Sequence, residues 1–319
     1  MPTRAVRLFG AALLAAGRAS AAARWQADLA EGRRAAAAGH AAEAERRLDA
    51  AAKAADSFSL DDPRKVEALQ ALAAFRSAQG EAEEAATLCD RAARLVEGRA
   101  GDSRPETVDA LKQLGDAQLM AGHQDKALET YRKALEAAER AWPREPARLE
   151  PRLYDVALSL RAMRRGAEAE APLRRALELA ESAKGPPGED VAERLRDLAQ
   201  LVQSLGRLDE AEPLYRRMLA IQERTLPRGS VARAPFLQSV ALFEEARGRL
   251  DDAEDLYRQA IAVLDQSQLA DPRLEALLTD YAHLLRRQGR DAEADALDRR
   301  ADAARRERQR TKGPSPLRP

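Results

Sequence analysis

The chain has no asparagine, a single cysteine (Cys89) and only three histidines (His40, His123 and His283) in 319 residues. One cysteine excludes an intrachain disulfide and any multi-cysteine metal site, so cysteine usage marks no compartment. The histidines stand in separate stretches, without H-E-x-x-H spacing or a neighbouring second ligand, so neither a metal nor a His-centred general base is predicted. Aromatic residues make up only 4% of the chain, and Val, Ile and Thr are sparse. No convincing strand can be drawn, and without a strand no glycine-rich phosphate loop has its setting. Basic and acidic residues number 53 each, so no net field draws the chain to nucleic acid or acidic membrane. No apolar run approaches the roughly 20 residues needed to span a bilayer.

What is present is alanine, leucine, glutamate and arginine, which are strong helix formers; a third of the chain is charged and 45% is hydrophobic. The first residues differ from the rest: Arg4 and Arg7 precede the apolar run LFGAALLAAG, and small residues follow at Ala19, Ala21 and Ala23. That order predicts a secretory signal peptide over residues 1–23, which would make the protein periplasmic or secreted. The alternative is an uncleaved alanine-rich first helix of a cytoplasmic protein.

From there a repeat governs the chain. The stretch LGRLDEAEPLYRRMLAI, Leu205 to Ile221, combines a glycine turn with an amphipathic helix whose apolar residues Ala211, Tyr215 and Met218 share one face. Anchoring each unit on the alanine equivalent to Ala211 gives Ala44, Ala85, Ala127, Ala169, Ala211, Ala253 and Ala294, spaced by 41 or 42 residues. Five residues before each anchor stands glycine (Gly39, Gly80, Gly122, Gly206, Gly248, Gly289) in every unit but the fourth, which has Arg164. Glycine there accepts the positive φ of a turn between helices. Four residues after the anchors come Leu48, Cys89, Tyr131, Leu173, Tyr215, Tyr257 and Asp298. Twelve before them, small residues (Gly32, Ala73, Gly115, Ala157, Ala199, Ala241, Ala282) mark where a partner helix approaches closely. Cys89 and the tyrosines therefore read as packing residues rather than reactive ones.

Asp62-Pro63 and Asp271-Pro272 predict capped helix starts, while Pro172 and Pro213 fall near the start of second helices. One hairpin cannot bury its apolar stripe alone, so the units must stack and the ends must turn polar. Asp298 and Asp302 at the last unit fit such an end. In the first unit Asp28 and Glu31 occupy leucine positions, which predicts either a cap or a register shifted onto Leu29. The arginine-rich stretch 299–310 reads as a solvated terminal helix and residues 311–319 as a disordered tail.

The pattern exemplified by GRLDEAEPLYRRML resembles the tetratricopeptide repeat, in the long 42-residue variety of kinesin light chains and many bacterial proteins, over residues 25–305. The resemblance implies an all-α, right-handed superhelical solenoid of seven helix-turn-helix units, here residues 24–310. It also implies a concave groove, lined by the first helix of each unit, that binds a protein or peptide segment without catalysis or cofactor. Carried over position by position, that groove comprises Lys112, Tyr154, Arg161, Arg196, Gln200, Gln203, Gln238, His283 and Arg286, with Asp116 and Glu245 interspersed. Its basic bias toward the middle and C-terminal part suits an acidic or carboxylate-bearing segment, with Arg161, Arg196 and Arg286 as polar anchors. Long-type repeats carry a recurrent groove asparagine; none exists here, and Gln200, Gln203 and Gln238 substitute only partly. The alternative reading is a self-associating or bracing component of a larger envelope assembly.

Overall fold

The structure, a computed structural model, describes residues 22–60, 62–100, 105–183, 185–266 and 271–311. The expected signal segment, apart from Ala22 and Ala23, lies outside the described residues, and so does the tail beyond Thr311. Among the described residues there are fourteen α-helices, one 3-10 turn and no strand. They form an all-α repeat solenoid that divides into two compact units, residues 1–164 and 165–319. The first unit holds α1 (22–37), α2 (Ala41–Asp56), α3 (Pro63–Ala78), α4 (Ala82–Ala100), α5 (Pro105–Met120), α6 (Gln124–Ala141) and α7 (Pro146–Ala162). The second holds α8 (Gly166–Glu181), α9 (Glu189–Ser204), α10 (Leu208–Thr225), the 3-10 turn Val231–Arg233, α11 (Ala234–Ala246), α12 (Leu250–Gln266), α13 (Pro272–Arg287) and α14 (Asp291–Thr311). In the first unit α1–α2, α3–α4 and α5–α6 are hairpins and α7 follows as a first helix; in the second, α8 is a second helix and α9–α10, α11–α12 and α13–α14 are hairpins.

The helix ends follow their side chains. Asp62 accepts the N–H of Arg64 at 3.0 Å and Asp271 that of Arg273 at 2.9 Å, each ahead of a proline that lacks the N–H the position would waste. All six turn glycines have φ between 75° and 84°. Arg164, in the fourth unit, adopts φ 59° without being glycine, and the boundary between the two compact units falls directly after it. Pro172 and Pro213 lie beyond the first turn of α8 and α10, and Pro151 is likewise internal to α7; each removes one i→i−4 donor.

Packing within a hairpin rests on the small residue of the first helix. A Cβ built on Gly115 would stand 2.5 Å from Cε1 of Tyr131, whose side chain is fully buried, and one on Gly32 would stand 2.8 Å from Leu48. The first unit resolves as the shifted register: Trp25 and Leu29 are buried, while Asp28 and Glu31 pair with Arg47 at 2.8 and 2.7 Å. At the last helix Ala294 and Ala301 are the buried residues among those whose burial is described, and Arg300, Arg305 and Arg308 bridge to Asp265 and Glu275.

Consecutive hairpins of the second unit are also joined by charge. The arginine just before each second helix reaches the glutamate following the preceding anchor: Arg207 to Glu170 at 2.7 Å, Arg249 to Glu212 at 3.8 Å, and Arg290 to Glu254 at 2.6 Å. Partly exposed pairs of this kind contribute about 0–1 kcal/mol each. Glu254 is different because it is buried and also accepts from Tyr281 Oη at 2.8 Å. Burial pushes its carboxyl upward, but the hydrogen bonds from Arg290 and Tyr281 and the charge of Arg258 outweigh burial and hold it below the usual glutamate range.

Arg164→Gly is expected to raise stability by about 1 kcal/mol, read as a higher Tm, because it relieves a left-handed conformation that costs L-residues roughly that much. Glu254→Gln is expected to cost about 1–2 kcal/mol at pH 7 through its charge-assisted bonds. A depressed carboxylate contributes fully above its unfolded value and loses its contribution as pH falls through the folded value. The difference in urea midpoint between this variant and the wild type should therefore shrink on acidification below the ordinary glutamate range.

Candidate functional site

In the first unit, three consecutive first helices, α3, α5 and α7, enclose an open cleft of about 420 Å³ lined by Gln70, Val108, Asp109, Lys112, Gln113, Asp116, Arg152, Asp155 and Val156. Seven of these nine are polar, and three aspartates face one lysine and one arginine. Arg152 of α7 crosses to Asp109 of α5 at 3.0 Å and lies 3.9 Å from Asp155. Lys112 pairs with Asp116 at 2.6 Å. Burial pushes the Asp109 carboxyl upward and Arg152 opposes it. The excess of acid makes this cleft a better seat for a cationic group than for a carboxylate.

Asp116 also ties the cleft to the core. It accepts from Tyr131 Oη at 2.7 Å and from Ser159 Oγ at 3.3 Å. Tyr215 and Tyr257 repeat the device, donating to Gln203 Oε1 and Glu245 Oε1, each at 2.7 Å. Burial first, and then the carboxylate acceptor, pushes the Tyr131 and Tyr257 phenols far up, so both remain donors. Burial, with the charge of Asp116, also pushes the Cys89 thiol up to about 11, which leaves it a packing group rather than a nucleophile.

The second unit presents the faces of α9, α11 and α13, stitched helix to helix. Gln200 donates to Ser239 at 2.8 Å, Gln203 to the Leu242 carbonyl at 3.3 Å, and Gln238 to Asp280 at 2.6 Å. Arg287 bridges to Glu245 at 2.9 Å. The glutamine amides expected to stand in for asparagine are thus already bonded within the scaffold. Arg196 lies over the Phe236 ring at 5.1 Å, with Asp197 at 3.5 Å. His283 and Arg286 are exposed, and Arg286 turns across its own hairpin to Asp295 and Asp298. Of the expected residues Lys112 and the interspersed Asp116 line the first-unit cleft; Tyr154 and Arg161 are half-buried on α7 outside its lining.

Gln70, Asp109, Gln113, Arg152 and Asp155 were not among the expected residues. A signal for two of them exists: Gln70 shares the register of Lys112, fifteen residues ahead of its anchor, and Asp155 that of Gln113, Asp197, Ser239 and Asp280, fourteen ahead. Among the described residues no group of three or more His, Cys, Asp or Glu is placed to hold a metal ion, and no helix is long and apolar enough to cross a membrane.

The tetratricopeptide repeat family model matches residues 65–140 and 150–224, which span helices α3 to α10. The chain is a tetratricopeptide repeat protein. Its fold is similar to BtubC (BKLC) from P. vanneervenii, at 22% identity and TM-score 0.54, covering 75% of this chain and 93% of that one. It is also similar to aspartyl phosphate phosphatase F from Bacillus subtilis (14% identity, TM-score 0.57, covering 95% and 76%). A third likeness is to a Rap protein complexed with Competence and Sporulation Factor (16% identity, TM-score 0.50, covering 89% and 75%). At these identities the likeness concerns the fold. No curated protein matches the sequence.

Tyr131→Phe in this tetratricopeptide array is expected to cost about 0.5–1.5 kcal/mol, the net worth of one buried hydrogen bond, with helical content unchanged by circular dichroism.

Proposed function

We propose that this tetratricopeptide protein is a non-catalytic interaction scaffold that takes a partner protein or peptide segment along its first helices. The observation carrying this reading is the polar cleft spanning α3, α5 and α7, a surface built by stacking before any ligand arrives, so that little ordering entropy is lost on the scaffold side. The Rap protein solved with Competence and Sporulation Factor is an instance of this fold holding another molecule, and supports the same use here. A partner segment on α3, α5 and α7 carries a cation for Asp109 and Asp155 and a carboxylate for Arg161, and one on α9 carries a carboxylate for Arg196. Export, through the signal segment 1–23, is part of the proposal, and a mature N-terminus mapped by sequencing decides between a periplasmic or secreted scaffold and a cytoplasmic one.

The test is quantitative capture of the native partner, identified by crosslinking in the source cells, on purified variants. Arg161→Glu, Arg196→Glu and Asp109→Lys are each expected to weaken capture by about 1–3 kcal/mol, the range of charge-assisted bonds. Arg216→Glu, on an exposed second-helix face, is the control and should leave it unchanged. Equal capture by all four variants removes the first helices as the binding face. Light scattering separates the structural alternative, since a self-assembling array shows a concentration-dependent mass with no partner present.

A further inference from the structure

On the outer faces of the second helices a charge rung recurs at three places. The base six residues after an anchor meets the acid twelve residues after the preceding one: Arg91 with Asp56 at 3.5 Å, Arg217 with Glu181, and Arg300 with Asp265. Lys133 and Arg175 hold the same base position but pair with Glu129 and Glu178 of their own helices, and one junction has no base at all. Gln259 of α12 stands where the others have a base, and Glu223 of α10, the acid it would meet, has no hydrogen-bond or ion-pair partner among the described residues.

A cavity of about 530 Å³ opens at that break, lined by Glu223, Arg228, Arg233, Leu237, Gln259, Ala262 and Val263. Its size lies within the range of roughly 300–1,000 Å³ typical of small-molecule sites. Arg233 holds a second irregularity: twenty residues ahead of the anchor, the third, fourth and fifth units pack the buried Thr107, Leu149 and Val191 and the last has the half-buried Leu274, while the second has the half-buried Lys65. Here a guanidinium stands at that position, and its buried Nε has no hydrogen-bond partner among the described residues. Neither Arg228 nor Arg233 has a carboxylate within ion-pair distance among the described residues, Glu223 included. A buried donor left without an acceptor costs about 1–3 kcal/mol; among the described arginines only Arg47 shares a buried unpaired Nε, and its guanidinium is otherwise paired with Asp28 and Glu31, so Arg233 stands apart and points to a function. One unpaired carboxylate and two unpaired guanidiniums around the buried apolar side chains of Leu237 and Val263 complement a molecule that carries an anion, a cation and an apolar group together.

We propose that this cavity binds a small zwitterion of the α-amino-acid class with an apolar side chain. Its carboxylate meets Arg233 and Arg228, its ammonium meets Glu223, and its side chain covers Leu237 and Val263. Its charged lining comes from α10 and from the loop and 3-10 turn ahead of α11 rather than from the first-helix residues named above, so it would give a partner-binding array a separate small-molecule input.

The experiment is titration calorimetry, with thermal shift alongside, on the full chain using L-leucine and L-phenylalanine as probes. N-acetyl-leucine and leucinamide lack the cation and the anion in turn. Saturable binding of at least one amino acid is expected, with each derivative weaker by about tenfold or more, as the loss of one charged partner requires. Arg233→Ala and Glu223→Gln should produce losses of the same order. Gln259→Arg keeps the fold testable, because it supplies the rung the neighbouring hairpins already have; it should abolish binding while helical content and Tm are retained. No saturable binding of either amino acid at millimolar concentration overturns the proposal. So does N-acetyl-leucine binding as tightly as leucine, or undiminished binding by the Gln259→Arg protein.

Discussion

The hairpins α1–α2 and α5–α6 close where a glycine on the first helix lets the side chain four residues past the anchor of the second helix lie flat against its backbone. At Gly115 that contact is so close that the Tyr131 ring occupies the space of a methyl group, and at Gly32 the Leu48 side chain does the same. A closer approach buries more of both helices and also brings the tyrosine hydroxyl through to the opposite face. Stability and surface chemistry are therefore set by one distance. The stacking of units adds nearest-neighbour burial and the charge contacts that join successive hairpins, as expected for a quasi-one-dimensional array.

Passing the tyrosine hydroxyl through the hairpin couples architecture to the candidate binding face. Asp116, Gln203 and Glu245 are held by buried phenols while also meeting Lys112 or Ser159, the Leu242 carbonyl, and Arg287 on the outer side. A polar side chain fixed in this way costs little additional entropy on binding. The same economy explains how the array manages without asparagine: its glutamines hydrogen-bond neighbouring first helices and brace the face from within.

Much of this was legible in the residues. The period, the glycine turns, the capped prolines at Pro63 and Pro272, the packing role of Cys89 and the polar last helix all follow from local rules that act within one hairpin. The first unit could be narrowed to two readings, and burial of Trp25 and Leu29 chose between them. The face was less legible. Arg152 and Asp109 lie 43 residues apart in sequence and meet only because α5 and α7 stack. A residue such as Arg286 counts as a groove cation in sequence, yet it spends its charge on Asp295 and Asp298 of its own hairpin. The register alone does not reveal which side chains are already paired.

The sequence by itself determined the element type, the hairpin and the order of the units, because helix propensity, turn conformation and the spacing of apolar residues are properties of a few dozen consecutive residues. Tertiary structure decided which charges remain open. Pairing depends on the neighbour one repeat away, where a difference of one side chain, Gln259 in place of a base or Arg233 in place of a packed Leu149 or Val191, turns a closed rung into a cavity. Electrostatic partners are chosen by distances of a few ångströms across helices that are remote in sequence, and those distances exist only once the units have stacked.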